Sequence, residues 1–169
     1  MDFRRLLIDN PVTEISPSNW RVRLIAYAPI VFWIGVIFFL SSPSGSMSET
    51  SLIIGPILKW LMPHAAPETI QTIHGYVRKT AHFTEYAVLA FLAVRGISLA
   101  ASGSWRNWRF AIAILLPAII ASLDEFNQSF EPSRTSSIYD VLLDITGATA
   151  MVIFLFLIKY RSTRSAIEN

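Results

Sequence analysis

The chain has no cysteine and little charge: 15% of its 169 residues are Asp, Glu, Lys or Arg, where an average soluble domain carries about 25%. Without cysteine there is no disulfide framework, no thiolate nucleophile and no thiolate metal ligand, which leaves chemistry to His, Asp, Glu, Lys, Arg, Ser and Tyr. The scarcity of charge, with 53% hydrophobic residues and a mean hydropathy of +0.47, excludes a disordered chain and argues against a water-soluble globule. Internal repeats and low-complexity tracts are missing. So are a glycine-rich phosphate loop and a nucleophile elbow. The net charge is +2, with no basic patch interleaved with aromatics, so no nucleic-acid partner is expected.

What is present is a set of long apolar runs. A helix crossing a hydrocarbon core of roughly 30 Å needs about 17 to 25 largely apolar residues, and four such stretches predict spans near 24–41, 80–100, 110–126 and 138–158. The expected fold is all-α, a polytopic membrane protein built as a four-helix bundle. A short segment, 1–23, precedes the membrane domain 24–158, and a polar tail, 159–169, follows it and is expected to fray. Read as a secretory signal, the first span is longer than the usual 7 to 15 apolar residues and lacks an A-x-A-like cleavage site. An uncleaved helix is the better reading.

Lysine and arginine set orientation, because their excess stays cytoplasmic. Arg4, Arg5, Arg21 and Arg23 precede the first span, Arg106 and Arg109 lie between the second and third, and Lys159, Arg161 and Arg164 follow the fourth. The opposite loops hold Lys59, Arg78, Lys79 and Arg134, and Arg95 can snorkel from within the second span. This count places both termini in the cytoplasm and the protein in the cytoplasmic (inner) membrane.

The loop between the first two spans is too long for a simple connection. Within it 52–62 is apolar, too short to span and interrupted by Gly55 and Pro56, which suggests an interfacial or re-entrant piece, or an outer flap, with Trp60 at headgroup depth. After Pro67, Ile70, Ile73 and Val77 recur at helical spacing, so an amphipathic helix should run into the second span. His64 and His74 are expected to be ordinary exposed polar residues.

With this topology three polar helix ends share one membrane face. Lys79, His82 and Glu85 follow one helical stripe; Asp124 and Gln128 are four apart with Glu125 beside them; Asp140 and Asp144 are again four apart, and Gly147 continues their face. A carboxylate at mid-membrane costs about 2.5 to 3.5 kcal/mol on insertion scales, so such groups face a partner or water. Ser137 and Asp140 also fit an S-x-x-D cap opening the fourth span. Asp124 and Glu125 sit near a helix C-terminus, where the dipole disfavours anions and capping gives no reason for them. The turn Glu131-Pro-Ser-Arg134-Thr-Ser-Ser137 adds a cation and several hydroxyls able to hold phosphate or carboxylate. Gly147, Ala148 and Ala150 suit close helix packing, as do Ala118 and Ala121, and Pro117 should kink the third span. His82, Glu85, Asp124 and Glu125 are therefore the candidate catalytic residues and the set that would hold a divalent metal. Lys79, Gln128, Arg134, Asp140 and Asp144 are the candidate ligand-binding residues.

Three blocks then stand out together and in order: Lys79-Thr-Ala-His82-Phe83-Thr-Glu85-Tyr86, Asp124-Glu125-Phe-Asn-Gln128-Ser-Phe130-Glu-Pro-Ser-Arg134, and Tyr139-Asp140-Val-Leu-Leu-Asp144-Ile-Thr-Gly147. In these the chain resembles the VanZ-like family of small bacterial membrane proteins, from about the first span to the fourth. At position 144 the family pattern more often has Asn, and this chain has Asp. The resemblance implies a multi-pass envelope protein, related to a namesake associated with resistance to the glycopeptide teicoplanin, and it supplies no reaction. Three readings stay open. The polar site binds a lipid-linked envelope precursor, a glycopeptide or another envelope ligand. Alternatively it performs acid–base or metal-assisted chemistry on a lipid-linked substrate, with a divalent metal as the cofactor in question. In the third reading its carboxylates and His82 relay protons or cations for transport.

Overall fold

In a computed structural model, residues 20–42, 47–130 and 137–167 are described; they are helical apart from short connections. The helices are α1 (Trp20–Leu40), α2 (Met47–Leu61), α3 (Pro67–Ala100), α4 (Ser104–Asn107), α5 (Arg109–Gln128) and α6 (Ile138–Ile167). Four of them, α1, α3, α5 and α6, are long and apolar enough to cross a membrane. These are the four predicted spans.

Helix α3 is the centre of the arrangement, packing against α1, α2, α5 and α6, while α5 and α6 pack on each other. Because α1 and α5 finish where α3 and α6 begin, the acidic blocks meet at one end. The apolar interior has two parts. One joins Ala90, Ala93, Val94, Ala113, Ala148, Val152 and Leu155. The other joins Ile30, Ile37, Tyr86, Leu89, Ile120, Ala121 and Val141, so Tyr86 carries its ring into an otherwise aliphatic cluster beneath the polar end. Small residues allow this closeness. A Cβ on Gly147 would lie 2.2 Å from the carbonyl oxygen of Phe83, and one on Gly96 2.6 Å from that of Ala26, so α6 and α1 both meet α3 backbone to backbone, as small-residue interfaces in membranes do. Ala148 is buried as well, whereas Ala150 is exposed and contributes no such contact.

Several details differ from the sequence-based expectation. Gly55 and Pro56 do not interrupt α2, which runs through both; proline removes one internal hydrogen bond, and an exposed turn can leave the freed carbonyl to solvent. Helix α2 lies against α3 and covers Leu58, leaving Leu52, Ile53, Ile57 and Trp60 exposed. As expected, the amphipathic stretch after Pro67 runs straight into the second span, in one helix of 34 residues. The fourth helix continues past 158 to Ile167 where a fraying tail was expected. His64 is exposed as expected, but His74 is buried, 3% exposed, on the inner face of α3. Its spacing from Ile70, four residues, puts it on the apolar stripe that α3 turns inward.

Proline 29 lies within α1 and has no N–H to give the carbonyl of Ile25, four residues back. The guanidinium of Arg95 on α3 donates to that carbonyl, Nη1 to O, at 3.3 Å. The intramembrane arginine thus answers a vacancy created by a proline on the neighbouring helix.

Candidate functional site

The polar end is assembled from four helices. On α5, Asp124 is 1% exposed; its Oδ2 accepts hydrogen bonds from Ser41 Oγ, just beyond α1, at 2.6 Å and from Gln128 Nε2, one turn on, at 2.8 Å. These donors hold a carboxylate where the helix dipole opposes it. Next to it Glu125 accepts, through Oε1, from the backbone N–H of Ser137, tying the end of α5 to the start of α6.

On α6, Ser137 is the N-cap: its Oγ accepts from the N–H of Tyr139 at 3.2 Å, which is the capping role expected of it. Asp140 turns to α3, where Lys79 Nζ lies 3.3 Å from its Oδ1. One turn deeper, Asp144 is 4% exposed, and His82 Nδ1 of α3 stands 4.0 Å from its Oδ1, close enough for charge attraction and too long for a hydrogen bond. Gly147 completes this face against Phe83. From α1, the Trp33 indole N–H donates to the backbone carbonyl of Glu85 at 2.9 Å. Glu85 is half-buried, and Tyr86, fully buried, is within electrostatic reach of Glu85, Asp124, Glu125 and Asp144.

Of the nine candidate residues, Lys79, His82, Glu85, Asp124, Glu125, Gln128, Asp140 and Asp144 occupy this end. Arg134, with the Glu131 turn, lies outside the described residues. The metal reading gains no support from geometry, because among the described residues no three His, Asp or Glu side chains are grouped as a metal ion requires. Sequence reasoning missed three contributors. Ser41 stands out in the sequence only as a turn former closing the first span, Trp33 looks like one more apolar residue, and Tyr86 sits in a motif without a role of its own. A polar residue ending an apolar run, in a protein with buried carboxylates elsewhere, is the signal that would have found Ser41.

The VanZ/LLP1 family model matches residues 25–159. The chain belongs to the VanZ/LLP1 family. No curated protein and no solved structure matches it. The matched region takes in α3 and α5 whole, most of α1 and α6, and every polar contact described above, so the polar end lies inside the matched region. The chain is accordingly a VanZ-like multi-pass membrane protein, with the cluster of carboxylates at one end of its helical bundle.

Proposed function

We propose that this VanZ-like protein binds, at an outward-facing polar site, the polar head of a lipid-linked or other envelope-derived ligand. The observation that carries the reading is a gradient across one helix end. Lys79 and Asp140, 59% and 37% exposed at their side chains, form a rim. His82 stands half-buried behind them, and buried oxygens of Glu85, Tyr86 and Asp144 below make no hydrogen bond within the described structure. Ligand sites are concave and mostly apolar, with a few convergent polar groups, and an apolar bundle ending in such a gradient suits a ligand with a polar head and an acyl or prenyl tail.

The site faces away from the cytosol if both termini are cytoplasmic in the inner membrane, the orientation favoured by the basic flanks. The uncovered apolar side chains of α2 suit a helix lying at that outer interface. Occupation of an envelope precursor there would alter glycopeptide susceptibility, the property associated with the family's namesake.

The test is native mass spectrometry of the purified protein with lipid-linked precursors extracted from bacterial membranes, beside teicoplanin susceptibility of cells expressing each variant. His82→Ala and Glu85→Gln should weaken both readouts by about tenfold, roughly one lost charge-assisted contact. Lys79→Arg and Glu125→Asp should retain them. Reporter fusions at residue 107 and at the C-terminus should read as cytoplasmic.

The pairing of His82 with Asp144 favours acid–base catalysis as a second reading. Complete loss of activity in each charge-preserving variant, in normally inserted protein, would select it over binding.

A further inference from the structure

Hydrogen bonds are unevenly shared within the polar end. Three carboxylates have donors: Asp124 in Ser41 and Gln128, Glu125 in the Ser137 amide, Asp140 in its ion pair with Lys79. Other groups at this end do not. Glu85 Oε2, Tyr86 Oη and Asp144 Oδ1 are buried without a hydrogen-bond partner among the described residues. Tyr86 is completely buried and Asp144 nearly so. Buried polar atoms are ordinarily satisfied, and each exception calls for a missing partner. Two of these three oxygens belong to carboxyl groups, and the third is a phenol that accepts as well as donates.

The charges point the same way. Among the described residues, five carboxyls, Glu85, Asp124, Glu125, Asp140 and Asp144, gather at this end with two fixed cations, Arg78 and Lys79, and Lys79 is already held by Asp140. A phosphate would add to the negative excess. A divalent metal needs a closely grouped ligand set, which the described His, Asp and Glu side chains do not form. A primary ammonium meets both demands: it brings one positive charge and three N–H donors, and carboxylate and phenol oxygens accept from such donors.

We infer that the polar end takes a primary amine, with Glu85, Tyr86 and Asp144 as its acceptors and the Lys79–Asp140 pair at the entrance. The inference rests on the binding reading above and names the chemistry of the head that is bound. The amine is carried by an envelope lipid or is a free water-soluble one, and the recognition is the same.

The experiment uses the full chain in neutral detergent and follows binding by native mass spectrometry with four phospholipids of identical acyl chains: phosphatidylethanolamine, its N-acetyl derivative, phosphatidylcholine and phosphatidylglycerol. Phosphatidylethanolamine should bind at least about tenfold more tightly than the other three, the size of one charge-assisted contact. Asp144→Asn and Tyr86→Phe should shrink that preference to within about threefold. Free ethanolamine that displaces the lipid assigns the site to amines in general, and failure to displace assigns it to a lipid-borne amine; both support the inference. Equal binding of all four headgroups, or preference for phosphatidylglycerol, would overturn it and leave the binding reading in place. If neither these lipids nor ethanolamine bind, the amine is excluded, while binding of extracted envelope precursors decides the broader reading separately. Should either variant fail to fold, the headgroup series on the wild-type protein still decides between an amine and its competitors.

Discussion

Replacing Gly147 by alanine tests the backbone contact on which the polar end is built. The added Cβ would fall 2.2 Å from Phe83 O and 3.0 Å from Phe83 C, whereas ordinary contact begins at 3.4 Å. Neither partner is the free end of a flexible side chain, so α3 and α6 must separate locally by more than about 1 Å in a close-packed interior. Overpacking of this kind costs roughly 1–3 kcal/mol. The better helix propensity of alanine returns up to about 1 kcal/mol, and the rigid backbone neighbour places the cost toward the upper end. The net expectation is a loss of roughly 1–2 kcal/mol. The same change at Gly35, where nothing lies within 4 Å, should be neutral or stabilising by up to about 1 kcal/mol. Thermal unfolding in one detergent, with both variants side by side, separates the two. His82 and Asp144 lie on either side of the contact, so Gly147→Ala should also weaken ligand binding, and Gly35→Ala should not. If Gly147→Ala melts with Gly35→Ala, the close approach of α3 and α6 is wrong.

Ser41→Ala removes a hydrogen bond to the buried Asp124 carboxylate and should lower stability by about 1–2 kcal/mol, read as a fall in melting temperature; Ser42→Ala, whose hydroxyl donates to the Phe39 carbonyl three residues back, should change less. Lys79→Ala breaks a pair exposed on both sides, so its effect on stability should be below about 1 kcal/mol and should vanish in high salt; a larger, salt-independent loss would mean that Lys79 is enclosed in the membrane-inserted protein. Trp33→Phe deletes the indole donor to the Glu85 carbonyl while keeping an aromatic ring, and should cost about 1 kcal/mol; an unchanged melting temperature would show that α1 does not need this tie.

The fold was legible because the bilayer leaves few options for an apolar run of about 20 residues. The meeting of the acidic blocks was legible for a related reason: Asp124 and Asp144, far apart in sequence, are too costly to leave alone in lipid. What could not be read was the identity of the donors. Ser41 is distinguishable from Ser42 only by which way α1 turns, and a one-residue change of register rotates a helical side chain by about 100°. His74 falls on the amphipathic helix expected after Pro67, where a polar residue reads as exposed, and its burial depends on where α3 meets its neighbours. Pro56 illustrates the opposite error, in which a local rule about helix breakers gives way because an exposed turn tolerates the missing hydrogen bond. Position 144 shows in the sequence as a carboxyl on the Asp140 stripe and as a departure from the family pattern; its burial and the unmet Oδ1 become apparent through the packing of α6 on α3.

The tie between Arg95 and the Ile25 carbonyl bears on how the chain is put into the membrane. Helix α1 leaves the ribosome first, yet its Pro29 vacancy, its Trp33 donor and its Ser41 hydroxyl are answered by residues made 52 to 83 positions later. Until then these three contacts are unmade. Assembly of α1 is therefore provisional during synthesis and becomes final only when α5 has arrived, so a chain halted before Asp124 should be recognised by membrane quality control as incomplete.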